Sequence, residues 1–194
     1  MGEVIVRCAK DTGQSVLFPV RGRNIQLRLA TVDDAEFILS LRTDARLNQF
    51  ISRVSDNVDV QREWLRLYKT REGKGQEYYL IIELAEGRPV GTLRIYDLRA
   101  DSFCWGSWLI LPDAPSFVAI ESALLVYEIG FYRLGFNNSH FDVRRANERV
   151  VAFHQRLGAK IDRTSDIDHF FTYKRIDYER IKARYAKFLP SADM

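Results

Sequence analysis

The chain has 194 residues, of which 46% are hydrophobic and 28% charged, and its formal net charge is +3. This composition is ordinary for a globular protein and excludes a largely disordered chain. Basic and acidic residues alternate without forming blocks, so no nucleic-acid partner is indicated. Apolar runs stay below the roughly 18 residues that a membrane span needs, and residues 1–10 lack the apolar centre of a signal peptide. We therefore predict a cytoplasmic protein without membrane association, with one domain over residues 1–194.

The first third of the chain predicts two strands and two helices. Residues 1–24 are of mixed character and predict an N-terminal arm or edge strand, because Pro19 interrupts a short apolar run. The segment IQLRL alternates with period two and predicts a strand. Thr31 is the expected N-cap of the helix that follows, with Asp34 at the capping-box position. A second helix is predicted to end at Gly73, with four apolar side chains on its buried face: Val60, Trp64, Leu67 and Tyr68.

The middle of the chain predicts a hairpin, a strand and a buried helix. The two β-rich runs of EYYLIIELAEGRPVGTLRIYDL are joined by a turn at residues 86–88. SFCWGSWLIL predicts a further strand, which Pro112 stops. The next segment, from Ser116 to Gly135, is apolar on nearly every side and predicts a buried helix. Gly130 within it indicates a close approach to the backbone, most simply by a core side chain.

The last third predicts strands at residues 139–143, 160–161 and 169–174, a helix between the first two, and a charged C-terminal helix within 175–194. The order of elements indicates the α/β class. Neither the dinucleotide motif G-x-G-x-x-G nor the phosphate-binding loop G-x-x-x-x-G-K is present. Cys8 and Cys104 are far apart and too few for a disulfide framework or a zinc site, so we predict reduced structural thiols and no metal.

A histidine stands in the apolar stripe of the helix NERVVAFHQRLGA. Asn147 is the expected N-cap and Gly158 the expected end. His154 shares a face with Val150 and Leu157, so its ring points inward. The spacing allows two interpretations, a core histidine bonded to a backbone carbonyl or a proton donor or acceptor at a cleft.

The order of elements, the hairpin EGRPVGTLRIYDL, the strand WGSWLIL before a proline and a buried helix, and DVRRANERVVAFHQRLGA resemble the GNAT superfamily of acyl-CoA N-acyltransferases. The resemblance covers residues 24–174. It implies a single GNAT-like α/β domain with a mixed, mostly antiparallel sheet of about seven strands flanked by helices. It also implies acetyl-CoA as co-substrate, no metal, and transfer of the acetyl group to a primary amine.

The resemblance assigns roles by position. The family commonly has an Asn that contacts the pantetheine arm of coenzyme A and, seven residues later, a Tyr that protonates the leaving thiolate. Asn147 and His154 occupy these positions, and an imidazolium would supply the proton. The family also holds the thioester carbonyl oxygen with a backbone amide of the strand before the buried helix, which corresponds here to Leu109, Ile110 and Leu111.

The cofactor loop departs from the family pattern. The family binds pyrophosphate with a loop of the type Q/R-x-x-G-x-G/A at the start of the buried helix, whereas this chain has PDAPSFVAIESA. Pro115 has no N–H, and a side chain stands where glycine is usual. The amides of Ser116, Phe117 and Val118 are the expected phosphate donors.

The segment LRTDARLNQFISRVSDNVDVQREWL resembles the acceptor region of bacterial enzymes that acetylate nucleotide-linked amino sugars, and that of ribosomal-protein N-terminal acetyltransferases. The acceptor implied first is an amino sugar carried on a nucleotide. A protein N-terminus, or a non-catalytic ligand-binding module, is the alternative. The sequence provides no clear general base and leaves a homodimer open. Four residues are candidates for acceptor binding, each with core packing or solvation as its simpler interpretation: Arg42, Trp64, Tyr68 and His169.

Overall fold

An eight-stranded sheet runs through the computed structural model, which describes residues 17–190. Its strands are β1 (Val20–Arg21), β2 (Ile25–Leu29), β3 (Tyr78–Leu84), β4 (Pro89–Tyr96), β5 (Ser102–Ile110), β6 (Asn138–Arg144), β7 (Lys160–Thr164) and β8 (Asp168–Lys174). They lie in the order β1-β2-β3-β4-β5-β6-β8-β7. Neighbouring strands are antiparallel except β5 and β6, which are parallel. The predicted mixed α/β architecture is confirmed, with one strand more than predicted.

Five α-helices flank the sheet in the described part of the chain. They are α1 (Ala35–Thr43), α2 (Val58–Gly73), α3 (Phe117–Glu128), α4 (Glu148–Arg156) and α5 (Arg175–Lys182). A 3-10 turn (Val32–Asp34) precedes α1, a π-helical turn (Ile129–Arg133) extends α3, and a 3-10 segment (Ala183–Phe188) follows α5. Residues 1–16 and 191–194, and with them Cys8, lie outside the described residues. Cys104 is a buried free thiol, and burial raises its pKa to about 11.

The helices divide between the two faces of the sheet. α1 and α2 cover one face around Tyr79 and Ile81, and α3, α4 and α5 lie with the larger core on the other face. The predicted buried face of α2 is partly wrong, because Val60 and Leu67 are 54% and 58% exposed. The buried stripe instead includes Gln61 and Glu72, and the Glu72 carboxylate accepts a hydrogen bond of 2.8 Å from the Tyr68 hydroxyl. A hydrogen bond of this kind offsets the cost of burying a polar group.

Gly130 lies in the π-helical turn that extends α3, against β5. A Cβ atom built on Gly130 would stand 2.1 Å from ring atoms of Phe103. Real side chains do not approach so closely, so this position requires the absence of a Cβ. The close approach predicted from the sequence is confirmed, and it brings α3 directly against the strand that borders the candidate site.

We expect Gly130→Ala to lower the free energy of unfolding by about 1–3 kcal/mol, because the new methyl group overpacks the contact with Phe103. Urea unfolding measures the change. Gly73→Ala is the matched control, since a Cβ there would meet nothing within 4 Å. Equal stability of the Gly130→Ala variant and the wild type would contradict the packing described here.

Candidate active site

β5 and β6 separate soon after they pair. Their parallel pairing is recorded at Ser102 with Asn138 and at Phe103 with Ser139. Beyond these residues β5 continues beside β4 as far as Ile110, and β6 continues beside β8. β5 therefore stays paired with β4, and β6 with β8, while β5 and β6 no longer pair with each other. The result is a gap in the sheet whose two edges carry backbone groups that are free to bind another molecule.

A β-bulge in β5 accompanies the separation. Arg94 of β4 is opposite Gly106, while Thr92 is opposite Leu109, so two steps along β4 match three along β5. The extra residue falls within this interval, where Ser107 has a φ of 49°. A bulge bends its own strand and re-aims the residues beyond it. This bend directs the end of β5 away from β6.

Backbone hydrogen bonds at the end of β5 show which of the three predicted amides is free to bind a thioester carbonyl. The Leu111 amide donates to the Val90 carbonyl at 2.8 Å, so its prediction as a carbonyl-binding donor is wrong. Residues of an antiparallel ladder alternate between facing their partner strand and facing away. Leu109, two residues before Leu111, therefore directs its amide to β4 as well. Ile110 directs its amide to the gap and remains the candidate donor.

The start of α3 retains part of the predicted phosphate site. The Val118 amide donates to the Pro115 carbonyl at 3.0 Å and the Val118 side chain is fully buried, so Val118 is not a free donor. Ser116, the N-cap residue, and Phe117 belong to the first turn, where amides have no partner within the helix. These two amides and the positive end of the helix dipole can meet an anion.

Asn147 begins α4 with its backbone. Its carbonyl accepts hydrogen bonds from the amides of Val150 and Val151, both at 3.0 Å, and its own amide donates to Arg144 at 2.8 Å. The predicted N-cap position is confirmed, although its side chain makes no capping hydrogen bond. The side-chain amide is thus left for another partner, as the predicted contact with pantetheine requires.

His154 lies on the inner face of α4, beneath the two separating strands. Its ring centroid is 5.4 Å from that of Trp105 on β5 and 4.4 Å from that of Phe141 on β6. The residue is 4% exposed, and its Nδ1 atom has no hydrogen-bond partner among the described residues. The interpretation as a core histidine bonded to a carbonyl is therefore not supported at Nδ1, although the ring is deeply buried.

Burial lowers the pKa of His154 to about 3, because an apolar pocket disfavours the charged ring. Imidazole is consequently the form present at neutral pH. The prediction that an imidazolium supplies the proton is corrected on this ground. The neutral ring still carries one N–H, which can donate a hydrogen bond without a charge.

Two of the predicted acceptor-binding residues are placed elsewhere. Tyr68 is fully buried, and its hydroxyl is engaged by Glu72 and by the Tyr79 amide, so it is not an acceptor contact. His169 lies two residues before Phe171 on β8, so both side chains point to the same face of the sheet, and Phe171 belongs to the core of the α3 and α4 face. Its ring therefore lies on the face opposite α1 and α2, where Nδ1 is 2.8 Å from the Thr164 hydroxyl.

The other two candidates lie on the α1 and α2 face. Trp64 is half-buried, stacks on Tyr68 at 5.5 Å and has the Arg94 guanidinium 5.3 Å from its ring. Arg42 is 9% exposed and donates from Nη2 to the carbonyl and hydroxyl oxygens of Ser52, at 2.9 and 3.0 Å. Trp64 therefore lies against the face of β4 that carries Arg94 and, two residues earlier, the bulge partner Thr92.

Sequence reasoning missed Tyr96, the last residue of β4. A Cβ on Gly106 of β5 would stand 2.9 Å from the Tyr96 hydroxyl, which therefore covers the backbone just before the bulge. Burial raises the pKa of Tyr96, so the phenol remains protonated at neutral pH. Gly106 inside a strand was the available signal, because such a glycine often marks a close approach.

Three carboxylates that could serve as a general base are engaged in ion pairs. Asp97 is 2.6 Å from Arg99, and this hydrogen bond holds its pKa below the usual range. Glu83 pairs with Arg28 at 2.6 Å, and Asp168 pairs with Arg144 at 3.0 Å. A carboxylate paired in this way is a weaker base. In residues 17–190, no group of three or more His, Cys, Asp or Glu side chains could hold a metal ion.

We expect acid to destabilise the protein partly through His154. The pKa falls from 6.5 to about 3 on folding, so the unfolded chain binds the extra proton, and stability is lost as pH falls below about 6.5. Between pH 7.5 and 5, wild type should lose about 2 kcal/mol more than His154→Phe. Denaturant unfolding at each pH measures this difference. Phe153→Leu, which keeps the histidine, should retain the wild-type slope, and parallel curves for wild type and His154→Phe would contradict the assignment.

Within residues 17–190, no helix is both long and apolar enough to cross a membrane. Residues 24–160 match the family described as acetyltransferase (GNAT) domain. A search of curated proteins finds no match.

The fold is shared with solved structures of acetyltransferases. FdhC, described as a nucleotide-linked sugar GNAT and solved in the apo form, is 41% identical with a TM-score of 0.83, over 89% of this chain and 99% of FdhC. The ribosomal-protein-S5-alanine acetyltransferase from Vibrio fischeri is 12% identical, with a TM-score of 0.71 over 83% of this chain and 98% of that one. The spermidine N-acetyltransferase from Vibrio cholerae, solved with CoA and spermine, is 16% identical, with a TM-score of 0.67 over 80% of this chain and 98% of that one.

The last two likenesses concern the fold alone, whereas the match over residues 24–160 and the 41% identity concern the sequence as well. The gap between β5 and β6, the start of α3 beside it and α4 beneath it are consistent with the family match and with the similarity to FdhC. The chain therefore belongs to the GNAT family and is an acyl-CoA-dependent N-acetyltransferase.

Proposed function

We propose that this enzyme transfers the acetyl group of acetyl-CoA to the primary amine of a nucleotide-linked amino sugar. The observation that carries the proposal is the 41% identity, over 89% of the chain, to a protein described as a nucleotide-linked sugar GNAT. The α1 and α2 segment, which resembles the acceptor region of such enzymes, covers one face of β3 and β4. The acceptor enters from this face, and the thioester enters the gap from the side of α3 and α4.

The chain provides binding groups for acetyl-CoA on three sides of the gap. The amides of Ser116 and Phe117, at the start of α3, face the pyrophosphate. The free side-chain amide of Asn147 meets the pantetheine arm. The Ile110 amide donates to the thioester carbonyl, and this hydrogen bond strengthens as the oxygen becomes an oxyanion during attack by the amine.

Two neutral donors border the site of bond breaking. The His154 ring lies under the gap, and its N–H can stabilise the sulfur as the C–S bond breaks and the amine nitrogen forms its bond to the carbonyl carbon. The Tyr96 hydroxyl lies over Gly106, just before the bulge, and can orient the incoming amine. The ammonium proton of the acceptor passes to water before attack, and the second proton that the nitrogen loses as the C–S bond breaks passes through water to the departing sulfur, so that CoA leaves as the thiol.

The proposal is tested by offering matched acceptors with acetyl-CoA and comparing kcat/KM. We expect nucleotide-linked amino sugars to exceed spermidine and peptides with free N-termini by about tenfold or more. His154→Phe, assayed in parallel, should lower kcat for each acceptor, which shows that turnover arises at this site. A higher kcat/KM for peptides or spermidine would contradict the sugar acceptor.

A further inference from the structure

Asp142 lies on β6 between two residues of the core. Phe141 and Val143 belong to the core of the α3 and α4 face, so the Asp142 side chain points to the opposite face of the sheet. α1 and α2 lie on that face, and we propose above that the acceptor enters from it. The Asp142 side chain is exposed there. It is therefore open to a molecule that approaches from the acceptor side.

The strand register brings Asp142 to the gap. The parallel pairing of β5 with β6 ends at Phe103 and Ser139. Counting three residues on from this pair brings β5 to Gly106 and β6 to Asp142, so these two residues lie at the same level on opposite edges of the gap. Gly106 has no side chain, and the bulge of β5 begins just after it. At this level β6 therefore provides a carboxylate, and β5 provides backbone alone.

The Tyr96 hydroxyl lies on the same face of the sheet as Asp142. Gly106 follows Trp105, whose ring belongs to the core of the α3 and α4 face, so a Cβ on Gly106 would point to the face of Asp142. That atom would be 2.9 Å from the Tyr96 hydroxyl. Burial raises the pKa of Tyr96 and of the Cys104 thiol, and the negative charge of Asp142 adds to both shifts. A phenol and a carboxylate thus border the gap from β4 and β6.

The charge of Asp142 is not paired with any cation in residues 17–190. Arg144, two residues later on β6, pairs instead with Asp168 at 3.0 Å. Arg163 places its guanidinium 3.7 Å from the ring of Phe170, which is opposite Asp142 in the β6–β8 ladder. A free carboxylate beside the gap is therefore available to a cationic group of the acceptor, with which it would form a charge-assisted hydrogen bond.

Space for the body of an acceptor lies next to Asp142. A cavity of about 480 Å³ has His140 in its wall, and His140 precedes Asp142 by two residues on β6, roughly 7 Å along the strand. Cavities of this size hold small-molecule ligands. Further polar residues of the wall can form hydrogen bonds with the hydroxyl groups of a sugar: Ser102, Asn138 and Thr172. An acceptor can occupy this cavity while its amine reaches the gap at Asp142.

We propose that the Asp142 carboxylate binds the ammonium group of the acceptor and orients its nitrogen for attack on the thioester. This inference rests on the proposed function and specifies how the enzyme recognises the amine. After the ammonium group has lost one proton to water, the neutral amine still donates a hydrogen bond to Asp142, and its lone pair is free to face the thioester carbon. Formation of the C–N bond leaves a positive charge on the nitrogen until its second proton departs. The neighbouring carboxylate stabilises that charge.

The test compares wild type, Asp142→Asn and Asp142→Glu with acetyl-CoA and the acceptor that the wild type acetylates best among an amino sugar nucleotide, spermidine and a peptide. Asp142→Asn keeps the size of the side chain and removes its charge, so kcat/KM for the acceptor should fall about tenfold or more. The KM for acetyl-CoA and the Tm should stay unchanged, because the residue is exposed. Asp142→Glu keeps a carboxylate and should recover part of the loss. Asp33→Asn is the matched control, because Asp33 is another exposed aspartate, in the 3-10 turn before α1.

Equal kcat/KM values for Asp142→Asn and Asp33→Asn would overturn the role of Asp142, and the proposed function would stand if the amino sugar is the best acceptor. A raised KM for acetyl-CoA with an unchanged KM for the acceptor would also overturn it, because the residue would then act on the cofactor. If spermidine or the peptide is the best acceptor and Asp142→Asn still lowers its kcat/KM, the proposed function fails while the role of Asp142 stands. If the wild type acetylates none of the three, both fail.

Discussion

The separation of β5 from β6 is the constraint on which the rest of the site depends. Two parallel pairs hold the strands together at one end, and the bulge near Ser107 turns β5 away from β6 beyond them. The groups that we propose for the reaction lie around the gap that results. The Ile110 amide lies along one edge, the start of α3 lies beyond the end of β5, and α4 presents His154 from beneath. Because backbone geometry creates the gap, side chains around it can change without destroying it.

His154 occupies a position of the fold where the family commonly has a tyrosine, so the position is the same and the side chain differs. Packing among aromatic rings from β5, β6 and β8 excludes water, and the cost of desolvating a cation lowers the pKa to about 3. A ring buried in this way does not alternate between charged states near neutral pH. The role we propose for it is that of a neutral donor fixed by its neighbours, in the place where the family commonly has a phenol. The two groups share the property that matters at that place, a hydrogen-bond donor without a charge.

Local patterns predicted most elements and a smaller part of the site. Period two and turn residues located the strands, Asn147 correctly marked the start of α4, and Gly130 correctly marked a close contact. The errors arose where hydrogen bonds that the apolar pattern does not reveal determine the burial of a side chain or the availability of an amide. Glu72 is buried because a tyrosine one turn earlier in α2 satisfies it, and the Leu111 amide is unavailable because strand register gives it to Val90.

We propose that the gap and the start of α3 bind acetyl-CoA although Pro115 and Val118 replace the usual loop residues. Isothermal titration of the purified protein with acetyl-CoA tests it most directly, with AMP as a control nucleotide. We expect saturable binding at one site per chain and no comparable binding of AMP. Absence of saturable binding at millimolar acetyl-CoA would contradict it, because the amides of Ser116 and Phe117 would then not form a working phosphate site.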